Sequence, residues 1–251
     1  LRLKRFLDRR FKVLAWLRLI RLPNLLTVPG DTLAGFLLAA GSSALNWPRF
    51  FLLALPASLG FYTAGVILND IFDFKEDHRD RPRRPLPKGD ISRENAGMAA
   101  LFLIGFAAFA AAFFDAMYVA APLIVCIGLY NIGLKRVPVL GPVLMGLCRA
   151  GNLLLGAALS AHGVAFPTPA LAGAAVLGLY IATVTQLARG EARPGARFTP
   201  RHIGQLLRML IPLQTLLCLA AFPQFPRNLL GLLLLALLPL HRRLSRRYPP
   251  S

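Results

Sequence analysis

Acidic side chains are scarce in this chain. Of 251 residues only 11 are Asp or Glu, against 29 Lys or Arg, and charged residues make up 16% of the total. Globular domains carry about 25% charged and about 45–50% apolar residues; here 56% are hydrophobic and the mean hydropathy is +0.56. A soluble domain of this size needs more polar surface than that. Disorder is excluded as well, because it requires low hydrophobicity. Nucleic-acid binders spread basic residues over a soluble scaffold, whereas here they sit in clumps between long apolar runs, so no nucleic-acid partner is expected. Cysteine is scarce too. Cys126, Cys148 and Cys218 are odd in number, lie in apolar runs and lack metal spacing, so they read as packing residues without a disulfide framework. The apolar runs also lack the period-two alternation of a membrane barrel. What remains is an all-α, polytopic membrane helix bundle.

A helix crosses a bilayer with roughly 20 apolar residues. Eight runs qualify: about 24–41, 49–69, 95–114, 116–133, 139–161, 168–188, 204–221 and 227–242. Eight cations fall in residues 1–23, seven in 70–94, two at Lys135 and Arg136, five in 189–208 and four in the tail. These 26 of the 29 share one side of an eight-span topology. The positive-inside rule places that side, with both termini and the large loops, in the cytoplasm, and makes the bilayer the protein's partner. Residues 1–23 mix apolar side chains such as Leu14, Trp16 and Leu17 with the cations, as an amphipathic interfacial helix does. A single transmembrane domain over 24–242 and a basic tail over 243–251 follow.

The few acids are concentrated. Asp70, Asp73, Glu76, Asp77, Asp80 and Asp90 occupy 21 residues where the second span leaves the membrane. If the helix continues, Asn69, Asp73 and Asp77 are spaced i, i+4, i+8 and share a face, with Asp70 adjacent. Carboxylates packed this way repel one another. A hard divalent cation relieves that repulsion, and Mg²⁺ uses few carboxylates and keeps positions for water and phosphate oxygens. Arg81, Arg83 and Arg84 follow, then Pro85-Leu86-Pro87, which ends any helix. Arginines beside such a stripe suit phosphate oxygens. The competing reading is a solvated loop of surface ion pairs.

Asn69-Asp70-x-x-Asp73-x-x-x-Asp77, followed by Arg84-Pro85-Leu86-Pro87-x-Gly89, resembles the first signature of the UbiA superfamily of intramembrane prenyltransferases. Tyr130-Asn131-x-x-Leu134-Lys135-Arg136, Arg21-Leu22-Pro23-Asn24 and Gly35 are also similar to that family, and the resemblance covers roughly residues 18–205. It implies two Asp-rich motifs, after helices two and six, that bind Mg²⁺ and an isoprenyl diphosphate in a central cavity. The family usually has nine transmembrane helices against eight counted here, as in a short form or a truncated chain. The resemblance implies metal ligation by Asn69, Asp70, Asp73 and Asp77. It also implies catalytic roles for Asp70, Asp73, Asp77, Arg84 and Lys135, and transfer of the prenyl group to a lipophilic or aromatic acceptor.

The second motif departs from the pattern. After the sixth span the chain reads Gln186-Leu-Ala-Arg189-Gly190-Glu191, so Glu191 is the single acid available there as a metal ligand or substrate contact. Arg189 is placed to meet diphosphate directly. The Arg-Gly-Glu form, with Cys148-Arg149-Ala-Gly-Asn152, looks like the UbiA-like branch of bacterial ebo-type operons. Asp31, Arg149 and Asn152 lie within spans, where ionisable groups usually face a protein interior or cavity. Arg149 reads either as a substrate contact or as a buried pair with Asp31. Asn24, Tyr130, Asn131 and Gln186 read as cavity lining or as interhelical hydrogen-bonding groups. Phe102, Phe106, Phe109 and Phe113 repeat at helical spacing, either along a tunnel or towards lipid. Competing functions are a non-catalytic UbiA-like protein that binds or moves an isoprenoid, a CDP-alcohol phosphotransferase, whose D-G-x-x-A-R pattern is absent, and a transporter, whose polar groups would concentrate near the midplane.

Overall fold

The computed structural model describes residues 12–160, 165–190 and 197–247, which contain helices and turns and no strand. The elements are α1 (12–19), α2 (Leu22–Leu25), α3 (Val28–Ala39), α4 (Trp47–Phe72), α5 (Phe74–Asp80), α6 (Arg93–Ala112), α7 (Met117–Ile132), α8 (Leu140–Ala158), α9 (Thr168–Ala188), α10 (Pro200–Leu219), a 3₁₀ helix (Arg227–Ala236) and α11 (Leu237–Arg247). Helices α4, α6, α8, α9 and α10 are long and apolar enough to cross a membrane. The other three expected spans take different forms.

The run from residue 24 is divided at Leu26 and Thr27 because Pro29 has no N–H to bond back to residue 25, so α3 starts afresh at Val28 and has 12 residues. Helix α7 has 16 residues, about 24 Å at 1.5 Å per residue. The last run is 3₁₀ up to Ala236 and α-helical beyond it.

Helix α8 is the hub, packing on α3, α7 and α9, while α4 pairs with α6 and α3 also meets α10. The α3–α8 crossing depends on two glycines. A Cβ on Gly35 would run into the Leu153 carbonyl oxygen, and one on Gly156 into that of Thr32. Small residues let membrane helices approach to backbone contact. Below this crossing Leu37, Leu153, Ala157, Leu177 and Ile211 form one buried cluster, and Phe36, Phe61, Ala107, Leu123 and Leu155 belong to another.

The described part of the N-terminal segment packs against the bundle. Ala15 and Leu19 of α1 are buried against Ile67, Leu86 and Ala100, while Val13 points outward. Phe102, Phe106, Phe109 and Phe113 all face outward from α6, so the phenylalanine stripe is surface rather than tunnel. With Leu101, Leu52 and Leu179 they form an apolar exterior that fits hydrocarbon and not water. All three cysteines are free thiols.

Candidate active site

Helix α4 carries Asn69 and Asp70 on its last turn, bends at Asp73 (φ −85°, ψ 2°) and resumes as α5, which carries Asp77. The bend leaves the backbone ladder intact: Asp73 N donates to Asn69 O at 3.0 Å and Asp77 N to Asp73 O at 2.8 Å. The expected i, i+4, i+8 stripe therefore survives a helix break. Beyond Asp80 the chain turns back over Pro85–Gly89. Lys88 N donates to Arg84 O, and Gly89 takes φ 80°, a left-handed conformation that glycine adopts without strain. This turn places Arg84 beneath the acids.

Each of the three aspartates has a cation. Arg84 Nη1 lies 2.6 Å from Asp77 Oδ2 and 3.5 Å from Asp70 Oδ1, and all three side chains are buried. Arg21 Nη2 reaches Asp70 Oδ1 at 2.8 Å. It does so from a left-handed backbone (φ 50°, ψ 56°) that ordinarily favours glycine. Lys135 Nζ meets Asp73 Oδ1 at 2.6 Å and Asn69 Oδ1 at 3.1 Å. Burial pushes the Asp77 carboxyl above its ordinary value, against the opposing pull of Arg84, and the neighbouring Asp70 and Asp73 charges add to the rise.

These groups surround a mouth of about 490 Å³ lined by Arg21, Asn24, Asn69, Asp73, Lys135 and Arg189, among others. Beneath it lies a mostly apolar pocket of about 140 Å³ whose wall includes Phe61, Val66, Leu123, Ile127 and Met145. Arg21, Asn69 and Tyr130 line both, so the charged mouth continues into the apolar pocket. Asn131, Arg149 and Asn152 line the inner pocket. Asn131 Nδ2 donates to Ile127 O at 2.9 Å, and the Oδ1 atoms of Asn131 and Asn152 are buried with no hydrogen-bond partner.

The pair left open between Asp31 and Arg149 is formed. Arg149 Nε lies 3.0 Å from Asp31 Oδ2, and Arg149 Nη2 donates to Thr27 O and Thr27 Oγ1 at 3.1 and 3.0 Å. Gln214 Nε2 donates to Thr27 O and Asp31 Oδ1 as well. Asp31 is fully enclosed and lines neither cavity, while Arg149 also sits over the Tyr62 ring at 5.6 Å. Arg189 spends its guanidinium on backbone: Nη1 donates to Lys135 O at 2.9 Å and Val137 O at 3.2 Å, and Nη2 to Arg136 O at 2.7 Å. Gln186 is exposed and lines neither cavity. Glu191 lies outside the described residues.

Sequence reasoning missed Arg21, Tyr62 and Gln214 as parts of this site. Arg21 had a signal, because it stands directly before the Leu-Pro-Asn that opens the first span; Gln214, one polar residue in a long apolar run, had a weaker one.

Among the described residues no three acidic, histidine or cysteine side chains already converge at metal-binding separation. The donor chemistry nevertheless fits Mg²⁺. Asn69 Oδ1 and Asp73 Oδ1, two hard oxygens, converge on one cation position, which the Lys135 ammonium occupies. Asp70 and Asp77 instead turn towards arginine.

Fold and site together define an integral membrane helical bundle with a charged mouth over an apolar pocket. The family model of the UbiA prenyltransferases matches residues 31–247. A digeranylgeranylglyceryl phosphate synthase of Methanoculleus marisnigri is 31% identical over 197 residues, 76% of this chain and 69% of that protein. The synthase of Saccharolobus solfataricus is 30% identical over 57% of this chain and 50% of its own length. Two solved structures share the fold. One is of a digeranylgeranylglyceryl phosphate synthase (TM-score 0.59, 18% identity, 94% of this chain and 93% of the other). The second is a UbiA homologue from Archaeoglobus fulgidus bound to GPP and Mg²⁺ (TM-score 0.57, 18% identity, 93% and 85%). The chain belongs to the UbiA prenyltransferase family and is a membrane prenyltransferase.

Proposed function

We propose that this chain transfers an isoprenyl group from an isoprenyl diphosphate to a lipophilic or aromatic acceptor, with Mg²⁺ holding the diphosphate. The observation that carries this reading is the convergence of Asn69 and Asp73 oxygens on one cation position at the charged mouth, directly above the apolar pocket. Asn69 and Asp73 would hold the metal, on a face completed by Asp70 and Asp77. Bound there, Mg²⁺ neutralises charge that builds on the leaving pyrophosphate.

The chain's own residues do the remaining work. Arg21 and Lys135, both lining the mouth, stabilise the departing diphosphate electrostatically. Arg84 fixes the orientation of Asp70 and Asp77 from beneath. Phe61, Val66, Leu123 and Ile127 surround the isoprenyl chain and keep water from the allylic carbon. The C1–O bond of the donor breaks with its electron pair leaving on pyrophosphate, and the acceptor nucleophile bonds to C1 and releases its proton. Glu191 is the one acid that a second motif offers. The clustering of 26 of 29 cations supports eight crossings within a single 24–242 domain, with this mouth and both termini cytoplasmic. The likeness to the ebo-type branch supports a bacterial inner membrane.

Purified protein offered prenyl diphosphates of several lengths tests the reading through pyrophosphate release. Mg²⁺-dependent release that is lost in Asp73→Asn is expected. Release unaffected by EDTA or by that substitution would overturn the metal assignment. Tight donor binding with no release from any donor would favour a binding protein.

A further inference from the structure

The apolar pocket beneath the mouth has a definite depth. Helices α4 and α7 both run towards the mouth, with Asn69 and Tyr130 at its rim and Phe61 and Leu123 at their deepest lining positions. Phe61 stands eight positions before Asn69, and Leu123 seven before Tyr130, which is about 10–12 Å of helix. Helix α8 runs the other way and brings Arg149 level with Tyr62, whose ring it covers at 5.6 Å. The deep end is closed. Phe61 and Leu123 are buried and pack into the cluster that holds Phe36 and Leu155. There is no slack behind Leu123, because a Cβ on Gly151 would stand 3.2 Å from its Cδ1. Beside them the Arg149 guanidinium is fixed by Asp31 and Thr27, and Asn152 Oδ1 is buried with no hydrogen-bond partner. A hydrocarbon tail that reached further would have to part a close-packed core and lie against polar groups it cannot satisfy.

The volume agrees with the depth. A cavity of about 150 Å³ in a protein core takes one benzene ring, and this pocket has about 140 Å³. An extended main chain of eight carbons, as in a geranyl group, spans about 9–10 Å with bonds of about 1.5 Å. Two isoprene units therefore reach from the rim to Phe61 and Leu123. Halfway down, one residue leaves the bore open. Gly65 lies one turn below Asn69 on α4 and lines the pocket with Ile127. A Cβ there would stand 3.6 Å from Ile127 Cγ2 and 3.9 Å from Ile127 Cγ1, which are ordinary contact distances. Its missing side chain widens the bore at the level that a second isoprene unit must pass.

We infer, on the prenyl-transfer reading above, that this chain selects short allylic donors of five or ten carbons, and that Gly65 is the residue that admits the second isoprene unit. The diphosphate stays at the mouth and the tail fills the bore as far as Phe61 and Leu123. A third unit finds no room.

The test measures equilibrium binding of dimethylallyl, geranyl, farnesyl and geranylgeranyl diphosphates to the full chain in phosphatidylcholine nanodiscs, with Mg²⁺ and without acceptor. Empty nanodiscs correct for partition of the longer tails into lipid. Farnesyl and geranylgeranyl diphosphates are expected to bind about tenfold or more weakly than geranyl diphosphate. Gly65→Ala is expected to weaken geranyl diphosphate about tenfold and to leave dimethylallyl diphosphate unchanged, a split that general loss of fold does not produce. Leu123→Ala lowers the floor and is expected to bring farnesyl diphosphate close to geranyl diphosphate; if that variant does not fold, Leu123→Val makes the same change in smaller measure. Geranylgeranyl diphosphate bound by the unchanged protein as tightly as geranyl diphosphate would overturn the inference, because its tail would then leave sideways into the bilayer. An equal loss of both short donors in Gly65→Ala would overturn the role of that glycine. Binding of none of the four donors would overturn the donor reading itself, and the length limit with it.

Discussion

Arg189 and Lys135 are joined through backbone rather than side chain: Arg189 Nη1 donates to the Lys135 carbonyl oxygen at 2.9 Å, and the same guanidinium also holds the carbonyls of Arg136 and Val137. The short 3₁₀ turn Leu134–Arg136 that carries Lys135 is therefore fastened to the end of α9. The distance between Lys135 Nζ and Asp73 depends on that fastening. Arg189, expected from the sequence to meet diphosphate directly, lines the mouth but has its guanidinium on three backbone carbonyls, which fits a positioning role and is open to test. Replacing Arg189 with Ala is expected to lower kcat/KM by about tenfold to a hundredfold with little change in thermal stability. Lys is expected to restore little, since its compact ammonium lacks the planar fork with which Nη1 and Nη2 span the three carbonyls. Full rescue by Lys would show that charge alone matters.

Asp73 and Asp77 belong to one sequence motif yet face different surroundings, so their amides should fail differently. Asp73 lines the mouth and faces Lys135; Asp77 is buried against Arg84. Asp73→Asn is expected to reduce turnover by about a hundredfold with an unchanged melting temperature. Asp77→Asn weakens the partner set of a buried guanidinium and is expected to cost about 1–3 kcal/mol of stability, softened by Asp70 at 3.5 Å. Melting curves alongside pyrophosphate release separate the two. Equal loss of activity at equal stability would refute the division of labour.

The legible part of this molecule was its minority charge. Six acids in 21 residues located the mouth, because carboxylates packed at a helix exit have few other uses, and the structure gathers Asn69, Asp73, Lys135 and Arg189 around one cavity. Asp31 and Arg149 illustrate the limit. Hydropathy reports that both are costly in a span, but whether a costly group meets a ligand or another residue depends on which helices cross, here α3 and α8 at Gly35 and Gly156. The short final segment was legible as apolar but not as 3₁₀, since composition carries no record of how tightly a run winds. Phe102, Phe106, Phe109 and Phe113 had the periodicity of one face; their spacing held no information on whether that face looks inward.

The Asp31–Arg149 pair can be separated into charge and shape. Removing one member leaves an uncompensated charge among apolar helices, which is expected to cost about 3–5 kcal/mol, whereas removing both can be nearly neutral. Arg149→Met alone is therefore expected to lower the melting temperature sharply, and Arg149→Met with Asp31→Asn to recover most of the loss, with Gln214 still bonded to Thr27 O. A purely additive cycle would show that the two charges do not couple.

The α3–α8 crossing makes the sharpest packing prediction, because two glycines of the same chain serve as test and control. Gly156 lies where an added methyl meets the Thr32 carbonyl, and Gly97 lies where nothing is within 4 Å. Backbone cannot move aside as a flexible side chain does, so Gly156→Ala must separate the helices. The cost is expected to be about 1–3 kcal/mol. It should come with weaker donor binding, since α8 also carries Cys148, Arg149 and Asn152 into the inner pocket. Gly97→Ala, on the first turns of α6, should instead gain up to about 1 kcal/mol from reduced backbone entropy of the unfolded chain. Melting temperature and geranyl diphosphate affinity measured on both variants decide the matter: a Gly156→Ala protein as stable and as tight-binding as the parent would mean that the crossing is looser than its contacts imply.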